Sequence, residues 1–278
     1  MGAESPHRSF LIVWRVNMTA ETKGMRRGRA LPIPWESIPW WAVILAIVGI
    51  TVGWSVLTSE TYLKVIRFVF DGLRLTLQVT FISYGVALVV GLIFGLMRVS
   101  KNPVLYAVST LYVEVMRGVP LLVIILYMGY VITPMIRDAT GGTVDLQGMP
   151  SAVLGIAACY GAYLAEVYRS GIESIERGQM EAARSLGMSY MQAMRHVILP
   201  QAIRRILPPL GNDFISMLKD SSLIAVIALP DLLQMGRLYV SRTFRAFEGY
   251  NTVALLYLVL TLFLSLLVRI VERRTAIE

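Results

Sequence analysis

The sequence is poor in the residues that do chemistry in water. Only 16% of its 278 residues are charged, and it holds two histidines and one cysteine. A lone Cys159 closes no internal disulfide and, with so few histidines, supports no metal site. No catalytic set is visible: a membrane-embedded enzyme needs a nucleophile–base pair or a metal cluster, and neither can be assembled here. No lysine stands in a Gly-x4-Gly-Lys-Ser/Thr loop, so the chain has no phosphate cradle of its own.

Charge is also missing over long runs. Five windows carry no Asp, Glu, Lys or Arg: Ser37–Ser59, Leu75–Met97, Gly118–Ile136, Leu146–Ala165 and Gly249–Val268. Each is 19 to 23 residues long, and a membrane-spanning helix needs about 20. Backbone groups in hydrocarbon must bond internally, so these windows predict helices. The alternation over about 10-residue segments that marks a barrel is absent. With 56% hydrophobic residues, the expected fold class is all-α and polytopic. A sixth span is predicted between Ile206 and Pro230, interrupted by Asp213, Lys219 and Asp220. The expected spans are 40–57, 72–97, 112–136, 149–168, 206–229 and 250–270.

The net charge of +8 follows from this topology. Six spans put both termini on one side. The N-terminal tail, the loop near Arg98, residues 169–205 and the C-terminal tail hold 17 of the 26 basic residues. Lys64, Arg67, Arg137, Arg237, Arg242 and Arg245 fall in the opposite loops. The richer side is expected to be cytoplasmic. No nucleic-acid-binding motif accompanies the charge. Residues 1–36, Arg-rich and without amphipathic period, predict a disordered cytoplasmic tail. The window 37–59 has no cleavage pattern after it and predicts a retained first span, with Trp35, Trp40 and Trp41 at its interface end. In the second span Gly91-x-x-x-Gly95, preceded by Gly85, predicts close approach of another helix.

Between spans four and five lies a polar stretch, 177–200. Good helix formers over Gln179–Leu186 end at Gly187, a left-handed closing residue. Ser189 with Gln192 three positions on predicts a capping box. The second helix places Met191, Met194 and Ile198 on one face, and Pro200 is expected to punctuate it. A helix pair folded outside the lipid, with a Met- and Ala-rich exposed face, suits a groove on another protein.

The order Glu181-Ala182-Ala183, Gly187, Leu199-Pro200 resembles the EAA loop of binding-protein-dependent ABC importers. Every position of EAA-x3-G-x9-I-x-LP is met except that Val197 replaces Ile. Gly72-Leu73, Thr76-Leu77, the run Tyr112-x-Glu114-x-x-Arg117-Gly118-x-Pro120, Tyr163-x-Ala165-Glu166-x-Tyr168-Arg169 and Lys219-Asp220-Ser221-Ser222-Leu223 extend the similarity. The set resembles the polar amino acid permeases of the histidine/glutamine type. The resemblance implies a five-helix transmembrane core over 70–272, an extra N-terminal helix, and 177–200 as a cytoplasmic coupling helix. It implies that Glu181, Ala182, Ala183, Gly187, Leu199 and Pro200 contact a separate ATPase subunit, which holds ATP and Mg. A second permease subunit, identical or not, and an extracytoplasmic amino-acid-binding protein complete the expected assembly in a bacterial inner membrane.

Polar residues inside a span mark a pathway or a structural pairing. Helical spacing puts Asn212, Ser216 and Lys219 on one stripe and Asp213, Ser216 and Asp220 on its neighbour. Both readings, a polar lining for a zwitterion and an Asp–Lys pairing, stay open. Glu166 is a further pathway candidate. Glu114–Arg117 and Glu166–Arg169 are expected as helix-surface pairs. Tyr160 and Tyr163 can pack or touch substrate. Another small solute as cargo is the nearest rival. A secondary transporter or channel is a different class, but no internal repeat supports it.

Overall fold

The computed structural model describes residues 40–275, and among them there is no strand. The expected tail, 1–36, lies outside the described residues. The chain divides into two compact units, one through Thr51 and one from Val52. Helices α1 (Trp40–Thr58), α2 (Glu60–Val99), α3 (Pro103–Gly118), α4 (Leu121–Tyr127), α5 (Thr133–Ala139) and α6 (Met149–Glu173) follow in order. Then come α7 (Arg177–Ser185), α8 (Tyr190–Ala193), α9 (Leu199–Asp220), α10 (Leu232–Thr243) and α11 (Ala246–Thr275). π-helical segments, Met128–Ile132 and Met194–Ile198, join α4 to α5 and α8 to α9, and a 3-10 segment, Ser221–Ile227, extends α9.

Four helical stretches among the described residues are long and apolar enough to cross a membrane: Glu60–Val99, Leu121–Ala139, Met149–Glu173 and Ala246–Glu272. They become five if Tyr190–Ile227 and Leu232–Thr243, bent by 48°, count as one. The uncharged α1, expected as the first of six spans, is not in that set.

Two expected boundaries move, each for a local reason. Span three does not run unbroken through 112–136. Val119 is extended ahead of Pro120, as the proline ring demands of its predecessor, and this separates α3 from α4. Asn102 starts α3 by accepting from the Val104 and Leu105 amides, with Pro103 in the first turn. Span two begins at Glu60 rather than Gly72. At 1.5 Å per residue its 40 residues reach about 60 Å, twice the hydrocarbon thickness. Lys64 and Arg67 therefore ride on the helix and not on a loop. Arg237 and Arg242 likewise lie on α10.

Pro200 was expected to end a helix, yet helix runs through it. The π segment Met194–Ile198 stops two residues before Pro200, and Met128–Ile132 stops two residues before Pro134. A wider turn moves the carbonyl that the proline ring would strike and whose donor proline lacks. Pro208 and Pro209 also sit inside α9 without stopping it. The real break comes at Ala228, which is left-handed (φ 58°) and is followed by Pro230.

α6 is the centre of the second unit: 67% of its span window is buried, against 11% in α11. Around it Val79 and Ala87 of α2, Ile125 of α4, Ile156 and Leu164 of α6, and Met217 of α9 form one core. Glycines set the distance between α2 and α6. A Cβ on Gly91 would stand 2.6 Å from Leu164 Cβ, one on Gly95 2.9 Å from the Ala165 oxygen, and one on Gly161 2.8 Å from Val90. Gly85, expected in the same seam, faces open space.

Gly91→Val should therefore lower stability by about 1–3 kcal/mol through overpacking, read as a fall in Tm of the purified protein in detergent. Gly85→Ala should leave Tm unchanged or raise it, because a mid-helix alanine recovers about 0.5–1 kcal/mol of backbone entropy.

Candidate functional site

α6 and α9, with the first residue of α4, line an open cavity of about 210 Å³ formed by Leu121, Cys159, Tyr160, Tyr163, Asp213, Ser216 and Asp220. That volume is small beside the roughly 300 Å³ at which drug-sized sites begin, so it suits a small solute. Asp213, Ser216 and Asp220 recur at three and four residues, which stacks them on the face of α9 that meets α6. The Tyr160 hydroxyl donates to Asp220 Oδ2 at 2.7 Å. Of the predicted stripes only this one reaches the cavity. Asn212 and Lys219 are exposed and do not line it. Lys219 enters no ion pair among the described residues, so of the two open readings the Asp–Lys pairing is not formed.

Glu166 also stays outside the cavity. It receives Arg98 Nη1 at 3.0 Å and is bonded by Arg169, while Arg98 reaches Glu114 at 3.7 Å and Arg169 also pairs with Glu173. This cluster ties the end of α2 to α3 and α6. The Glu166–Arg169 pair is thus present, but the expected Glu114–Arg117 pair is not. Arg117 instead places its guanidinium over the Tyr163 ring, 5.5 Å from the centroid. An arginine is drawn to a ring face by the aromatic quadrupole, and sequence spacing alone gives no sign of that partner.

Outside the cavity lining, Asp231 is fully buried at the break between the 3-10 segment and α10. Its carboxylate accepts from the Leu233 and Gln234 amides (3.2 and 2.9 Å) and from the Tyr257 hydroxyl (3.3 Å). Thr76 Oγ1 accepts from the Leu232 amide at 3.0 Å. A Cβ on Gly72 would meet the Asp231 carbonyl at 2.5 Å, so α2 can touch this corner only through glycine. The Pro230-Asp231-Leu232 order is a helix-start signal that could have revealed this node.

The polar stretch 177–200 folds as two helical arms around a tight reversal. Gly187 is left-handed (φ 86°). The Gly187 amide bonds the Arg184 carbonyl at 3.0 Å and the Met188 amide the Ala183 carbonyl at 3.3 Å, the paired bonds of a Schellman closure. Ser189 and Gln192 form the reciprocal capping box. Glu181, Ala182, Gly187, Leu199 and Pro200 are exposed, whereas Ala183 is buried. The predicted outward face is different in detail. Met194 is half-buried and Ile198 and Ala193 are buried, because the π segment turns the face predicted by regular spacing. Met191 stays outside as predicted, at 70% exposure, and Leu186 and Tyr190 join it at 82% and 55%.

The inner side of this element is held firmly. Ile175, Ile198, Ala202 and Ile206 form a core with Ile172 and Met180 around them, and Arg205 donates to the Ser174 carbonyl at 2.5 Å. No cluster of three or more His, Cys, Asp or Glu that could hold a metal occurs among the described residues.

Residues 87–277 match the model of the binding-protein-dependent transport system inner membrane component. The chain is 37% identical over 229 residues to the probable amino-acid ABC transporter permease protein YckA of Bacillus subtilis, covering 81% of this chain and 97% of that one. It is 35% identical over 212 residues to the glutamine transport system permease protein GlnP of Escherichia coli, covering 76% and 94%. Among solved structures, one described as an amino acid ABC transporter with histidines superposes with a TM-score of 0.70 at 39% identity, over 77% of this chain and 97% of that one.

The charge cluster is open to a direct check. Arg98→Met should cost about 1.5–3 kcal/mol, the usual worth of a hydrogen bond to a charged group. Arg98→Lys should recover only part of it, since a point charge cannot fork between Glu114 and Glu166. Thermal unfolding of the three proteins measures both.

Proposed function

The chain belongs to the family of binding-protein-dependent transport system inner membrane components, and from that premise we propose that it is the permease subunit of an ATP-driven importer of a polar amino acid. Its relatives' amino-acid cargo and the small polar cavity between α6 and α9 both support that substrate class. The chain is a translocation component; ATP and Mg belong to separate ATPase subunits. An extracytoplasmic binding protein delivers the cargo, and a second permease subunit, identical or related, completes the pathway in the lipid.

In this reading α1 adds a sixth span to a five-span core over 70–272. Both termini and the 177–200 loop are cytoplasmic, as the basic-residue distribution favours, in a bacterial inner membrane. Residues 1–36 form the tail and 37–59 the extra helix. Leu186, Tyr190 and Met191 enter a groove of the ATPase, with Glu181 beside them.

One observation carries the mechanism. Helix is unbroken from Tyr190 to Ile227, so Tyr190 and Met191 of the element that would receive the ATPase stroke and the α9 residues lining the cavity are on one rod. Pro200 and Asp213 are about 20 Å apart along it at 1.5 Å per residue. ATPase closure then tilts the rod and opens the cavity alternately to the two sides. ATP and loaded binding protein bias the states by their differential affinities.

The test uses the reconstituted complex of permease, ATPase and binding protein. Glu181→Lys should weaken ATPase docking, and Gly187→Pro should destroy the reversal, because proline cannot take a positive φ. Each should lower ATP-dependent amino-acid uptake by about tenfold or more, the effect of roughly 1.4 kcal/mol. Wild-type uptake by both variants would end the coupling assignment. Uptake by the permease with no ATPase present would end the importer reading.

A further inference from the structure

We infer that the cavity between α6 and α9 selects an amino acid with a positively charged side chain. This rests on the amino-acid reading above and narrows its substrate class.

The lining supplies acceptors at two levels. Asp213 and Asp220 are seven residues apart on one face, about 10 Å along the helix axis. Asp220 already accepts one bond from Tyr160 through Oδ2, and its second oxygen is free to take an ammonium. Asp213 has no hydrogen-bond or ion-pair partner among the described residues, although it is half-buried beside Tyr160 and Leu121. Lysine and arginine carry two cationic groups separated by the length of a side chain. That matches two carboxylates separated along a helix.

Independently of the carboxylates, a cation stacks on one of the cavity's wall residues. The Arg117 guanidinium lies over Tyr163, a wall residue, and closes no salt bridge among the described residues. Its planar fork fits a carboxylate bidentately. With Lys219 exposed and off the lining, the α-carboxylate is assigned to Arg117, the cation stacked on the Tyr163 wall.

Charge balance then decides between cargoes. Two aspartates and one arginine leave the site with one net negative charge. A cationic amino acid neutralises it. A neutral one such as glutamine leaves Asp213 facing an amide, and a half-buried carboxylate without a counter-charge is costly.

The experiment is equilibrium binding of radiolabelled lysine and glutamine to the permease–ATPase complex in nanodiscs, without the binding protein, so that only the permease's own preference is read. Lysine should bind tighter than glutamine by about ten- to a hundredfold, the worth of one charge-assisted bond. Asp213→Asn should erase that ratio by weakening lysine alone, and Arg117→Met should weaken both ligands together. Equal or tighter glutamine binding, or an unchanged ratio in Asp213→Asn, overturns the inference while leaving the amino-acid reading in place. Binding of neither ligand, together with no uptake of either by the complete importer, overturns that reading and this inference with it.

Discussion

The close approach of α2 and α6 governs everything else in the second unit. Lipid offers no hydrophobic drive to press helices together, since tails are as apolar as leucine. Contact must instead come from surfaces that mesh. Gly91, Gly95 and Gly161 remove side chains where Leu164, Ala165 and Val90 fill the space, and α6 becomes a buried axis. Along that axis sit the cavity residues Cys159, Tyr160 and Tyr163, then the charge cluster at Glu166 and Arg169, then the Gly171 contact with Ile206 that seats α9. A helix less deeply packed could not hold a cavity wall at one level and an ionic tie at another.

A second constraint is that backbone polar groups need partners wherever water is scarce. The chain meets it with irregular helix rather than loop. π turns precede Pro134 and Pro200, and a 3-10 segment tightens the end of α9 before the left-handed Ala228. At the break, where amides would be left bare, the Asp231 carboxylate and the Thr76 hydroxyl take them. A Cβ added to Gly129 of one π turn would stand 3.0 Å from Ile227 of the 3-10 segment, so these irregular segments pack on each other. Such segments have fewer optimal bonds to lose when a helix bends.

Much of this was legible because it is local. Gly187, Ser189 and Gln192 specify their turn within four residues, and no distant contact is needed to form it. The Asp213–Ser216–Asp220 stripe follows from helical period alone. Pro120 could have marked the α3–α4 break, but the uncharged run around it reads as one span. What spacing could not reveal depends on partners from elsewhere in the chain. Arg98 competes with Arg117 for Glu114 and wins, because α2 ends beside α3. Lys219 and Asp213 are both polar intruders in one helix, yet only the second meets α6. Proline was misjudged at Pro200 because its effect depends on whether the turn before it can widen, which residue type alone does not show.

Rigidity has to be distributed unevenly for the proposed coupling to work. The 177–200 element is clamped at its base by Ile175, Ile198, Ala202 and Ile206 and by the Arg205–Ser174 bond. Force applied at Leu186 or Met191 therefore cannot be absorbed by the element itself and passes into α9. Along α9, Pro208 and Pro209 withdraw two amide donors from the ladder, between the clamp and Asp213. Bending there costs less than elsewhere on the rod. Tyr84 braces the far side of this weak point by donating to the Leu210 carbonyl at 2.7 Å. A rod that is stiff where it is driven, compliant one turn before the cavity and tied to α2 just beyond will swing its polar face rather than translate. Swinging moves Asp213 more than the Asp231 corner, which the Thr76 and Tyr257 bonds hold to α2 and α11. Access to the cavity would then change while the Asp231 corner stays in place.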